Sequence, residues 1–203
     1  MTTARVIAVD RERPDPAVIE DAARIVRAGG LVAFATETLY GLGVDPWNTE
    51  ALRRLFLAKG RADEKGVPVL VADFESVSRV AASMPPAAEV LAARHWPGAL
   101  TLVLPARPEL SPLVAPDGVA VRWTSSVIAA RLARAAGGAI TATSANRSGD
   151  PIAPLDPARI LAELGSQIDL LLDSGVLPAS LPSTLVDART EPIRILRQGS
   201  LHL

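Results

Sequence analysis

The sequence predicts an α/β fold, a single three-layer domain spanning residues 1–203 around a twisted sheet of mixed parallel and antiparallel strands. Three observations carry this. Short apolar runs alternate with amphipathic segments of helical period, joined by short connections with no linker or repeat. Apolar residues make up 49% of the chain but aromatics only 3%, so Ala, Val, Leu and Ile must fill a core buried on both sheet faces. Finally, two pairs of strand candidates follow each other without an intervening helix, which points to a mixed sheet rather than a purely parallel one.

Taken in order, Pro16 to Ala28 sets Val18, Ile19, Ala22, Ile25 and Val26 on one helical face, and Gly29-Gly30 stops it. "LVAFAT" (31–36) reads as a buried strand and "TETLYGLG" as a loop. Asn48 is placed to cap a helix reaching about Ala58, with Leu52, Leu55 and Phe56 inward. "VPVLVA" (67–72) is the next strand. Helices are expected from Asp73 and again after Pro85-Pro86 as far as "WPG" (96–98). "ALTLVLPA" and "GVAVRW" read as strands, Ser126 to Ala136 as a helix, and "AITAT" (139–143) as a strand running into "SANRSGDP". A helix initiated by Pro157, then the strands "IDLLLD", "STLVD" and "IRILRQG", complete the pattern.

Composition excludes several chemistries. There are no cysteines, hence no disulfide, thiolate nucleophile or cysteine-ligated zinc. His95 and His202 are the only histidines, too few for a histidine-rich metal site. A net charge of −1 argues against a protein whose main task is coating a polyanion. No stretch approaches the roughly 20 apolar residues that span a bilayer, and the first residues hold no apolar run of signal-peptide length. These features predict a soluble cytoplasmic protein without membrane partners.

Four segments carry chemistry-bearing residues, and each has an ordinary reading beside it. "GLGVDP" (41–46) begins like a dinucleotide fingerprint, but Pro46 stands where the third glycine belongs, which leaves a tight turn. In "KGR", Gly60 breaks the helix so that Lys59 and Arg61 can point to one side; alone, a cationic helix end explains it equally well. Lys59 and Lys65 are the only lysines among 21 basic residues, and both fall in this stretch. "TSANRSG" (143–149) ends a buried strand with Ser144 and Asn146 on one face. It has the hydroxyls and approachable N–H groups of an anion-binding nest, or simply of a polar turn. Its place at the carboxyl end of a strand favours a ligand. Arg122 in "VAVRW" is a charge among apolar strand positions and requires a partner or a ligand. Glu37 and the Asp63-Glu64 pair read as bases or as solvated charges, and spacing does not decide between these.

Six segments in order, "FATETLYGLG", "KGR", "WPGALTLVL", "TSANRSG", "PSTLVD" and "ILRQG", resemble the YrdC-like threonylcarbamoyl-AMP synthase family over about residues 18–200. The resemblance implies a concave active-site groove on the α/β fold, in a short, single-domain form. It implies consumption of ATP, bicarbonate and L-threonine to release pyrophosphate and L-threonylcarbamoyladenylate. Other proteins then transfer the carbamoyl group to make N6-threonylcarbamoyladenosine in tRNA. By the same resemblance Lys59, Arg61, Ser144 and Asn146 form a catalytic tetrad. Arg61, Ser144, Ser183 and Arg197 would bind the nucleotide, Thr36 and Arg122 would hold threonine, and Tyr40 would close over the site, with "TLYGLG" as a glycine-flanked lid. Mg²⁺ would arrive bridging the ATP phosphates, without protein ligands. Lys59→Ala is expected to abolish turnover at little cost to the fold, since a helix-end lysine costs little stability.

The chain departs from the family pattern at Ala62 and Gly66, where proline is usual, and at Trp123–Ser126, where a D-H-P-like element is usual. Two other readings therefore stand beside the synthase. One is a sister branch of the same fold with another acceptor or carbamoyl-adenylate chemistry. The other is a module binding double-stranded RNA or tRNA, which near-neutral charge and few aromatics disfavour as the main function while leaving weak tRNA contact open.

Overall fold

The computed structural model describes residues 4–60 and 66–203. Arg61 and Lys65, with Ala62, Asp63 and Glu64, lie outside the described residues. The first half runs β1 (Arg5–Ala8), α1 (Pro16–Arg27), β2 (Val32–Ala35), β3 (Tyr40–Gly43), α2 (Thr49–Lys59) and β4 (Val69–Val71). A 3₁₀ turn at Glu75–Arg79 leads to α3 (Pro86–His95), β5 (Leu100–Leu104), β6 (Val119–Trp123), α4 (Val127–Ala135) and β7 (Ala139–Thr141). Then come β8 (Thr143–Ser144), α5 (Pro157–Leu164), β9 (Leu170–Asp173), β10 (Thr184–Asp187) and β11 (Arg194–Arg197).

The expected helix starts follow from their caps: Asp15 accepts from Ala17 N–H, Asn48 from Glu50 and Ala51 N–H, and Ser126 from Ala129 N–H. Three expectations are corrected. The residues after Asp73 form a 3₁₀ turn rather than an α-helix, because Asp73 Oδ1 accepts from both Ser76 N–H and Ser76 Oγ. Arg5–Ala8, not anticipated as a strand, pairs parallel with β9 at the sheet edge. Tyr40–Gly43 is a fully buried strand, not a loop, and neither Gly41 nor Gly43 takes a positive φ. Gly43 is needed for close approach instead, since a Cβ there would lie 2.7 Å from Phe34 Cε1 and Thr141 O.

The strands divide between two mixed sheets, ordered β1-β9-β2-β3-β8 and β11-β10-β5-β6-β4-β7. Helices α1 and α4 pack on one side with Val32, Phe34, Leu70, Ile140, Leu170 and Leu172. The other side takes residues of α2, α3 and α5 with Ala33, Ala35, Val69, Val71 and Leu171. Alternate strand residues thus face opposite helical layers, as the period of two dictates. The two sheets meet where "AITATS" passes from β7, paired with β4, to β8, paired with β3. Ala142 is the joint, donating its N–H to Pro68 O.

Candidate active site

Beside this joint the chain forms an open groove of about 710 Å³. Its floor follows from strand register. Leu185 is paired with Arg197 on one side and Thr101 on the other, Val103 with Ala120, and Leu70 with Arg122. Cross-strand partners share a face. The six-stranded sheet therefore presents Arg197, Leu185, Thr101, Arg122 and Leu70 on one surface, and all five line the groove. The opposite wall is built from Thr36, Thr38, Ser144, Asn146 and the 150–154 loop.

Three of the four tetrad positions lie in the described residues and are physically joined. Lys59 ends α2, where Gly60 at φ 60° turns the chain. Its Nζ donates to Ser144 O at 2.5 Å and Asn146 O at 2.8 Å, and its own carbonyl accepts from Ser148 N–H. Lys59 is only 4% exposed. The expectation that Lys59→Ala spares the fold is corrected accordingly: this is a buried ammonium fastening the "TSANRSG" turn, not a solvated helix end. The Asn146 side chain donates to Asp150 O and Ile152 O, which sets the groove wall.

The threonine-assigned residues are divided across the groove, Arg122 on the floor and Thr36 on the opposite wall. Thr36 Oγ1 donates to Leu39 O and accepts from Thr38 and Leu39 N–H, forming a compact turn. Arg122, 6% exposed, pairs through Nη2 with Glu37 Oε2 at 2.6 Å and reaches Thr38 Oγ1 at 3.4 Å. Burial works against the Glu37 charge, but Arg122 and the Thr124 hydroxyl outweigh it and hold the carboxyl below its ordinary range. Tyr40 is fully buried; its hydroxyl donates to Gly175 O and accepts from Ser174 N–H. It ties β3 to the end of β9 and lines the groove from a buried strand. On the floor, Ser183 shares a hydrogen bond with Thr101, and Arg197 donates to Ser183 O. Burial first, and then the Arg122 charge, lower the Arg197 pKa from its ordinary value. An anion between the two guanidinium groups would relieve both effects.

Sequence reasoning left Glu37 undecided and passed over Thr38, Thr101 and Thr124. The available signal was the pair of charges, Arg122 embedded in apolar strand sequence and Glu37 just past the apolar run of β2, each in need of the other. The departures also acquire physical content. Gly66 admits no side chain, because a Cβ would stand 2.5 Å from Val114 O. Thr124 and Ser126 bind the 35–38 segment, as described below. Among the described residues no helix is long and apolar enough to cross a membrane, and no three acidic or histidine side chains gather to hold a metal.

The Sua5/YciO/YrdC family model, described as telomere recombination, matches residues 24–199. The chain is 39% identical to the threonylcarbamoyl-AMP synthase of Pyrococcus abyssi over 95% of its own length and 57% of that protein's. It is 36% identical to the threonylcarbamoyl-AMP synthase of Nitrosococcus oceani, covering 83% of this chain and 92% of that one. The crystal structure of P. abyssi Sua5 complexed with L-threonine superposes with a TM-score of 0.91 at 38% identity, over 97% of this chain and 58% of that one. The chain thus spans under two thirds of the Pyrococcus relative.

Proposed function

The chain belongs to the Sua5/YciO/YrdC family, and on that premise we propose that it makes L-threonylcarbamoyladenylate and pyrophosphate from ATP, bicarbonate and L-threonine. The observation that carries this reading is the groove floor, where strand register sets Arg122 and Arg197 on one face opposite the Ser144–Asn146 turn. Threonine's carboxylate fits Arg122, and its neutral amine attacks bicarbonate carbon, with water leaving, to give the carbamate. A carbamate oxygen then attacks the α-phosphorus of ATP, and the bond to the β-phosphate oxygen breaks to release pyrophosphate. Every species is anionic, so fixed donors where charge develops lower the barrier. Arg197, Ser183 and Ser144 would grip the nucleotide and its phosphates together with Arg61, and Lys59 would hold the Ser144–Asn146 turn in place.

Mg²⁺ would enter with ATP and neutralise its phosphates. It would be held through the ATP phosphates. The product would serve partner proteins that transfer the threonylcarbamoyl group to tRNA in the cytoplasm, with any tRNA contact of the chain itself weak.

The test is to incubate the purified protein with ATP, Mg²⁺, labelled bicarbonate and a panel of amino acids, measuring pyrophosphate and labelled adenylate. Threonine-dependent product is the expected result. Product with another amino acid, or only with carbamoyl phosphate, would assign the chain to a sister branch. Absence of nucleotide turnover with salt-sensitive RNA binding would overturn the enzyme reading.

A further inference from the structure

We propose that Glu37 is the positioning residue for Arg122, and that Thr124 and Ser126 at the head of α4 complete its support. The role rests on the reading above, in which Arg122 takes the amino acid's carboxylate. Arg122 lines the groove whereas Glu37 does not, so Glu37 bears on the guanidinium from behind. It engages one nitrogen, Nη2. Among the described residues, Nε of Arg122 is buried without an acceptor, a donor left over on a side chain that borders the groove. A buried orphan donor calls for a partner, which a carboxylate on the groove side would supply.

Glu37 is itself fixed. The Thr124 hydroxyl donates to Oε2 and the Ser125 N–H reaches Oε1 at 3.5 Å. Ser126 Oγ donates to Ala35 O at 2.9 Å while capping α4 through Ala129 N–H. The polar element replacing the usual D-H-P-like stretch thus clamps the 35–38 segment to α4 and orients the carboxylate that orients Arg122. A long arginine side chain gains directed binding only when such supports fix its plane.

The experiment compares the full chain with Thr124→Val, Thr124→Ser and Glu37→Gln, reading kcat and KM for threonine and for ATP. Side-chain ¹⁵N NMR of Arg122 adds a measure of rotation about Cζ–Nη2 that needs no turnover. Thr124→Val removes one hydrogen bond to a charged group and should raise the threonine KM about tenfold. The ATP KM should stay within about twofold, as expected away from the altered contact, and Thr124→Ser should restore the threonine KM. Glu37→Gln should raise the threonine KM further and free the Nη2 rotation. If it fails to fold, Thr124→Val carries the test. Equal rises in both KM values, or Nη2 rotation unchanged in Thr124→Val, would overturn the proposal. Slow rotation in the wild type that the variants release, in a protein with no threonine-dependent turnover, would uphold the positioning and overturn the substrate reading.

Discussion

Replacing Lys59 by methionine keeps much of the side-chain volume and removes the ammonium. In the structure that ammonium donates to Ser144 O at 2.5 Å and Asn146 O at 2.8 Å from a 4% exposed position. Hydrogen bonds from a charged donor contribute about 1.5–3 kcal/mol each. Two terms reduce the total. Ser144 O retains the Asn146 N–H at 2.9 Å, and the variant no longer buries a charge. The net cost is then about 2–4 kcal/mol, equivalent in a chain of this size to roughly 4–16 °C in Tm. Thermal unfolding followed by circular dichroism reads the loss. Turnover is then measured at a temperature where the variant is fully folded. A Tm within about 2 °C of wild type would show that the clamp carries no stability and refute the reasoning. Normal stability together with normal turnover would remove Lys59 from the site altogether.

Gly43→Ala should destabilise by about 1–3 kcal/mol, because the added methyl meets Phe34, Thr141 O and Ile140 with no flexible neighbour on the backbone side; urea unfolding checks it. The depressed pKa of Glu37 fixes the sign of a pH effect: its charged form favours the fold, fully so above the ordinary value of 4.5, and the contribution fades as pH falls through the lowered value. The stability difference between wild type and Glu37→Gln should therefore be flat above pH 4.5 and shrink on acidification; a difference that grew would reverse the assigned coupling. Arg197→Gln should raise the KM for ATP at least about tenfold, the value of one charged contact. Its stability should move by no more than about 0.5 kcal/mol, since the loss of its hydrogen bond to Ser183 O is offset by removal of a charge that burial and Arg122 oppose.

What the sequence made legible was local. The Asn48 cap, the helix start at Ser126, the prolines opening α1, α3 and α5, and the apolar runs of β2, β5 and β9 are each decided within a few residues. What it hid was decided at long range. Tyr40–Gly43 looks like a loop because two glycines sit in four residues, yet the second is there to let Phe34 and the β7 backbone approach. Arg5–Ala8 is a strand only because β9, some 165 residues later, offers a parallel edge. The division into two sheets turns on Ala142, which no local pattern marks. Within the site, motif order named Lys59, Ser144 and Asn146. That the lysine grips backbone carbonyls of the other two, and that Glu37 finds Arg122 85 positions away, are facts of packing that spacing cannot contain.

In the proposed reaction, whose species are all anionic, a near-neutral chain would still serve because its groove charges are distributed unequally. Arg122 is buried and matched by Glu37, so its pair is nearly neutral overall but directional. Arg197 lies on the same face with, among the described residues, the Ser183 carbonyl and hydroxyl as partners, and its positive charge is opposed by burial and by Arg122. Bringing an anion to this surface therefore costs little at Arg122, whose geometry is already set, and stabilises Arg197, whose charge is not. Affinity and orientation are assigned to different residues. A positioned guanidinium suits a small carboxylate that must present its amine to bicarbonate, while an uncompensated one suits the larger charge of a polyphosphate. The strand ladder that sets the two side by side is thus the feature on which this proposed division of roles depends.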